Sequence, residues 1–150
     1  LSRFYQPLSK VVFGGDLVEA NQAFIAENLG KKIHIIGGGD GTSYRVFGEK
    51  LEGVFWEKSL AMMQLARENL KSSALEFRHG EFAPSESEEM EVVILPFVLD
   101  TLRDEEIREL LRKIKRAIAP RGKLIVSDFY PAETFGQRIL EKVMLWFFGG

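Results

Sequence analysis

The sequence predicts an α/β domain in which a mainly parallel sheet of five short strands carries helices on both faces. Three observations lead there. Short aliphatic runs alternate with longer segments whose apolar residues recur at helical spacing, and this alternation builds parallel sheets through right-handed crossovers. The first such run ends in a glycine cluster, Gly37, Gly38, Gly39 and Gly41, at the kind of strand-to-helix turn where open α/β sheets bind ligands. A chain of 150 residues, 45 % hydrophobic, can bury a single core without disulfides or metals.

Taken in order, Asp16 is placed to cap a helix over residues 17–29, with Leu17, Ala20 and Phe24 on one face and Gly30 at its stop. Residues 31–36 give an apolar run, Ile33 to Ile36 broken only by His34 and bounded by glycines, which suits a buried first strand. Residues 42–48 give a short helix after the glycine turn. A second strand spans 51–56. Ser59 then caps a helix in which Met63, Ala66 and Leu70 recur at i, i+3 and i+7. A short third strand covers 75–77 and, after a polar and acidic stretch over 84–90, a β-branched fourth strand covers 92–95. The strongest helix begins at Asp104, with Ile107, Leu110, Leu111, Ile114 and Ile118 as its stripe and Arg112, Lys113, Lys115 and Arg116 on the other faces. Pro120 and Gly122 mark its closing turn, a fifth strand follows over 124–126, and residues 132–148 read as a last helix. Ligands of such a sheet sit beyond the carboxyl ends of its strands, here at the turns after strands one, two and four.

Composition narrows the chemistry. There is no cysteine, so thiol nucleophiles, disulfides and Cys-ligated metals are excluded, and two histidines cannot build a His-rich metal centre. The net charge of −2 carries no bias toward nucleic acid or acidic membranes, and a small ligand is expected. Neither a membrane span nor a signal-peptide pattern is present, so the setting expected is cytoplasmic. The start at Leu1 suggests a fragment or a processed chain. His34 reads as a half-buried, hydrogen-bonded strand residue. The acidic run Glu86, Glu88, Glu89 and Glu91 and the basic helix faces read as solvated surface.

The glycine cluster carries the sharpest signal, because four glycines in five positions allow a ligand close to backbone N–H groups at a helix start. A phosphate-binding P-loop would need Gly-Lys-Ser/Thr, and Gly41-Thr42-Ser43 lacks the lysine. The dinucleotide pattern G-x-G-x-x-G fails at Thr42. Gly37, Gly39 and Gly41 spell G-x-G-x-G.

On that loop, and on the segments that follow it, residues 1–130 resemble the class I S-adenosylmethionine-dependent methyltransferases. Glu57, after the second strand, stands where the family has an acid binding both ribose hydroxyls, and a carboxylate offers two oxygens to two O–H donors. Ser59 to Arg67 resembles the family's S-x-x-M-x-x-x-A-R helix, with Met62 at the adenine-packing position; on its own, Met62 could equally be core. Gly80-Glu81-Phe82 is similar to the family's Gly-Asp-x segment, with Glu81 in place of the adenine-binding Asp. Residues 91–96 resemble the fourth strand bordering the transferring methyl, and residues 118–128 the L-x-P-G-G-x-L segment, with Arg121 replacing one glycine.

The resemblance implies a three-layer Rossmann-like methyltransferase fold that lacks the last two strands, in one domain over 1–150: a lid segment over 1–30, a cofactor core over 31–128 and a closing helix. It implies S-adenosyl-L-methionine as cofactor, with Tyr5, Ile36, Gly37, Gly38, Gly39, Asp40, Gly41, Glu57, Lys58, Met62, Glu81, Phe82 and Pro96 at its site. The family's acid two residues before the first glycine is Ile35 here. Asp40 could compensate by facing the cofactor's ammonium, or could cap the next helix. The missing DNA-directed Pro-Pro-aromatic sequence at 95–98 argues against nucleic-acid acceptors. The expected activity is in-line methyl transfer to a small, partly apolar acceptor, with no identifiable general base and no metal; a homodimer could cover the open sheet edge. The rival expectation is a methyltransferase-like nucleoside-binding or interaction domain without catalysis.

Overall fold

The computed structural model describes residues 17–96 and 102–127. Tyr5, Asp16 and the helix expected over 132–148 lie outside them. The described elements are α1 (Leu17–Glu27), β1 (Ile33–Ile36), a 3₁₀ segment (Thr42–Lys50), β2 (Glu52–Glu57), α2 (Leu60–Asn69), β3 (Ala74–His79), β4 (Met90–Pro96), α3 (Asp104–Ala117) and β5 (Ile118–Ser127).

The five strands form one sheet in the order β3-β2-β1-β4-β5, with every neighbouring pair parallel. The chain walks outward from β1 to β3 and then returns to β4 on the other side of β1. That reversal puts the topological switch point between β1 and β4, where Ile33 pairs with both Gly53 and Val92. All four residues of β1 are buried, which explains an apolar run in place of an alternating one.

Successive side chains on each strand point to opposite faces, so the sheet has two cores. On one face Ile33, Ile35, Phe55, Val92 and Ile94 pack with Phe24 and Ile25 of α1, with Tyr44, with Met63 and Ala66 of α2, and with Leu70 at its C-cap. On the other, Val54, Trp56, Val93, Leu95 and Val126 pack with Ile107, Leu111 and Ile114 of α3. Helices therefore cover both faces, as the alternation of runs predicts. Ser59 caps α2 by accepting from the Met62 N–H at 3.2 Å, and Gly30 takes a φ of 95° just beyond α1.

Several expectations need correction. The short helix expected over residues 42–48 is present as a 3₁₀ helix that runs on to Lys50 and is kinked at Gly48, where φ is 52° and ψ −130°. No helix connects β3 to β4; Glu88, expected on solvated surface, holds that connection by accepting from Ser85 N–H at 2.9 Å and from Arg78 at 2.8 Å. Ile118 ends the helix stripe as the first residue of β5. Pro120 and Gly122 lie inside β5, in a bulge where residues 119–122 stand between the pairs Met90↔Ile118 and Val92↔Lys123. Proline is tolerated at such a bulge, and a Cβ at Gly122 would come within 2.9 Å of the Met90 carbonyl. His34 is 3 % exposed, and its Nδ1 has no hydrogen-bond partner. It is therefore neither half-buried nor fully satisfied.

Candidate cofactor site

The carboxyl ends of β1, β2 and β3 open onto a cavity of about 390 Å³, within the size range typical of small-ligand sites. Ile36 and Gly37 enter it from β1, Trp56, Glu57 and Lys58 from β2, and Gly80, Glu81 and Phe82 from beyond β3. The far wall is Leu102 and one face of α3, Glu106, Glu109, Leu110 and Lys113.

Glu57 organises this region. Its Oε1 accepts from Gly39 N–H at 2.8 Å, and its Oε2 accepts from Ser59 N–H at 2.8 Å. One carboxylate thus ties the glycine loop to the start of α2. A carboxylate has about four lone-pair directions, so each oxygen keeps acceptor capacity beyond these bonds. Gly39 presents its N–H with φ at 67°, in the left-handed region that only glycine enters freely, and a Cβ there would meet nothing within 4 Å. The loop's other glycines have packing reasons as well. A Cβ on Gly38 would lie 2.3 Å from the Phe55 ring, and one on Gly41 would lie 2.8 Å from Leu70. Packing thus accounts for Gly38 and Gly41, and of the cluster's glycines only Gly37 lines the cavity.

Asp40 turns to its own backbone. Its Oδ1 accepts from Thr42 N–H at 3.0 Å, and that N–H, helped by the Thr42 side chain, holds the carboxyl below its usual range. This is a turn within the loop and not a helix cap, since the following 3₁₀ segment has Gly41 as its N-cap and no side-chain cap bond, and Asp40 does not line the cavity. Asn69 of α2 donates to the Asp40 carbonyl at 2.8 Å, a second tie on the loop. Met62 is 41 % exposed, so it is not core, and it too stands outside the cavity lining. Pro96 is buried at the end of β4 beside Ser127, also outside the lining. Ile35 is fully buried on the α1 and α2 side of the sheet. His79, at the end of β3, makes a 3.0 Å contact from Nε2 to the Lys58 carbonyl and so braces the turn after β2.

The lining contributed by α3 was not foreseen. Glu106, Glu109, Leu110 and Lys113 recur at helical spacing, which is a readable signal, but the pattern places Leu110 in the core stripe and Lys113 on a solvated face. Lys113 reaches across and donates to the Phe82 carbonyl at 3.2 Å. Trp56 was also missed, although it immediately precedes Glu57 and is only 4 % exposed. Among the described residues, no group of three or more His, Asp or Glu side chains could hold a metal ion, and no helix is long and apolar enough to cross a membrane.

A parallel sheet with its switch point at β1, a G-x-G-x-G turn and an acid fixed at the end of β2 define a Rossmann-like nucleoside-binding architecture. Residues 35–126 match the methyltransferase domain family, and the chain belongs to the class I S-adenosylmethionine-dependent methyltransferases, whose cofactor is S-adenosyl-L-methionine. It is 28 % identical over 141 residues to the carboxy-S-adenosyl-L-methionine synthase of Helicobacter pylori, a match covering 87 % of this chain and 58 % of that protein. The fold is similar to that of the PH0226 protein of Pyrococcus horikoshii, with a TM-score of 0.61 and 23 % identity over 73 % of this chain and 55 % of the other. A TehB-like SAM-dependent methyltransferase from Corynebacterium glutamicum is similar at a TM-score of 0.59 and 13 % identity, over 87 % and 73 % of the two chains. The chain therefore spans little more than half the length of the curated relative it matches.

Proposed function

We propose that this chain binds S-adenosyl-L-methionine in the cavity at the ends of β1 to β3 and transfers its methyl group to a small, partly apolar acceptor. The observation that carries this reading is Glu57, fixed by two backbone N–H donors at the cavity wall with acceptor capacity to spare. The ribose diol is the partner that suits it, since two adjacent O–H donors match two carboxylate oxygens. Glu81 would take the adenine amino group, and Ile36 and Phe82 supply apolar wall for the ring. These residues fit the cofactor in both size and donor pattern.

The cofactor's sulfonium supplies an already electrophilic methyl, so the protein's task is alignment and desolvation. Holding the acceptor in line with the methyl carbon and sulfur, at a near-attack separation of about 3–3.5 Å, accounts for much of the acceleration such an enzyme needs. No general base is assigned, because one matters only for an acceptor that is protonated at working pH. A second reading, cofactor binding without transfer, draws on Ile35, which fills a core position where the family has an anchoring acid.

Calorimetry with S-adenosylmethionine and S-adenosylhomocysteine tests the site. Micromolar binding that is lost in Glu57→Ala supports it, whereas no heat with either ligand rejects it, and NAD in the same titration separates an oxidoreductase. A metabolite screen for a product heavier by one methyl group distinguishes transfer from binding alone.

A further inference from the structure

The turn after β3 is fixed at two points, and one of them comes from a distant helix. Gly80 N–H donates to the Glu57 carbonyl at 2.9 Å, and the Phe82 carbonyl accepts from the Lys113 ammonium of α3 at 3.2 Å. Glu81 stands between these two anchors, exposed at the cavity wall. Phe82 is 5 % exposed and its ring meets Trp56 at 74°, with centroids 4.9 Å apart. Packing therefore holds the ring, and Lys113 holds the carbonyl. An easier partner for Lys113 stands one turn back on the same helix. A lysine four residues after a glutamate ordinarily pairs with it, yet Glu109 accepts from Arg112 at 2.8 Å, and Lys113 crosses to a main-chain oxygen of another element.

We propose that Lys113 is a positioning residue for base recognition: by holding the Phe82 carbonyl it fixes Glu81, the carboxylate that reads the exocyclic amine of adenine. The inference rests on the cofactor reading given above. A hydrogen bond weakens steeply with misalignment, so a carboxylate selects one base over another only when its main chain is kept within about 0.5 Å of the productive position. An exposed glutamate on an untethered turn would follow the ligand instead of selecting it. Anchors on both sides of residue 81 remove that freedom. Lys113 acts through Glu81 and needs no contact of its own with the ligand.

The test is calorimetry of the full chain with S-adenosylhomocysteine and S-inosylhomocysteine, whose base carries an acceptor oxygen where adenine has its amine. The wild type is expected to prefer the adenosyl compound by about 10-fold or more, the range of one hydrogen bond to a charged group. Lys113→Met keeps the stem and removes the ammonium, and its preference should fall to about 3-fold or less. Lys113→Arg restores a charged donor and should recover the preference. A merely structural tie would weaken both ligands by the same factor, so a preference unchanged in Lys113→Met overturns the proposal, as does one that Lys113→Arg leaves lost. Glu81→Ala should abolish the preference by itself, and adding Lys113→Met to it should change the ratio no further; a further change would mean that Lys113 acts on the base without Glu81, which also overturns the proposal. If S-adenosylhomocysteine does not bind the wild type, the cofactor reading falls first. If it binds with no preference over the inosyl compound, the cofactor reading stands and the Lys113 proposal alone is lost. Should Lys113→Met fail to fold, Lys113→Gln, whose shorter amide falls short of the Phe82 carbonyl, takes its place.

Discussion

Glu57 spends one lone pair of each oxygen on backbone N–H groups from two different segments, so it is a structural clamp as well as a binding group. Glu57→Gln keeps the shape but turns an NH₂ toward one of those N–H donors. The expected cost is about 1–2 kcal/mol, since one charge-assisted bond is lost and another weakened, and urea denaturation would measure it without any ligand. Unchanged stability would mean that the clamp contributes nothing to folding. His34 offers a pH test. Burial lowers its pKa from the ordinary 6.5, with Arg78 and Lys32 adding to the lowering and Glu88 and Glu76 opposing it. The unfolded chain therefore binds this proton more readily than the folded one. Stability is fully retained above pH 6.5 and falls as the pH drops below it. Glu76 and Glu88, both held below 4.5 in the fold, titrate in a separate, more acidic window. His34→Leu should flatten the limb just below pH 6.5 while changing stability at neutral pH by less than about 1.5 kcal/mol, because the unpaired Nδ1 leaves with the ring. Thermal melts across pH 5 to 8 check this, and an unchanged limb would assign the acid sensitivity elsewhere.

Among the elements, β2 depends on a residue that its sequence pattern does not advertise. Gly53 has φ at 142°, and a Cβ built there would lie 2.0 Å from the Ile33 carbonyl oxygen. That contact is with the backbone of the central strand, which has no flexible end to move. Gly53→Ala should cost about 3 kcal/mol or more, among the large single-site effects, and chemical denaturation of the variant would reveal it. The β3 to β4 connection depends on Glu88, whose pKa burial pushes up but the Arg78 guanidinium and the Ser85 N–H bring down overall. Its ion pair with Arg78 joins side chains 29 % and 18 % exposed, so it is partly shielded from water. Glu88→Ala should lower stability by about 1–2 kcal/mol and speed proteolysis between 80 and 90. These two cases mark where local reading of the sequence stops. Periodicity located all five strands and the three described helices, because burial on one face leaves a repeating trace. It missed the bulge in β5, since a Pro and a Gly near a helix end signal a turn unless the neighbouring strand's register is known. It also read Glu88 as solvated, since an acidic run does not reveal which member meets an arginine from another strand.

For the whole molecule, the order of runs and the glycine turn make the switch point between β1 and β4 legible, but the cavity opens at the ends of β1, β2 and β3, so the turn after strand three takes the place expected for the one after strand four. Ile36, Gly37, Glu57, Lys58, Glu81 and Phe82, named from the sequence, do meet around one cavity. The wall from α3 was not legible, because nothing local says which face of a helix, thirty or more residues along the chain, closes over a strand end. Asp40 and Met62 carry two readings each, and their geometry, a turn onto the neighbouring backbone and an exposed methionine, depends on how the loop and α2 pack. Because the cavity draws on three strand ends and one helix face at once, a ligand that fills it should stabilise the fold as a unit. S-adenosylhomocysteine at 100 times its dissociation constant should raise stability by about 2.7 kcal/mol, or roughly 5–10 °C in Tm for a domain of this size. Because only ligand bound to the folded state produces the shift, Glu57→Ala should abolish it even where its own Tm is lower, whereas Met62→Ala, outside the lining, should retain most of it. Scanning calorimetry of the three proteins with and without ligand decides, and a full shift surviving in Glu57→Ala would move the binding site away from the end of β2.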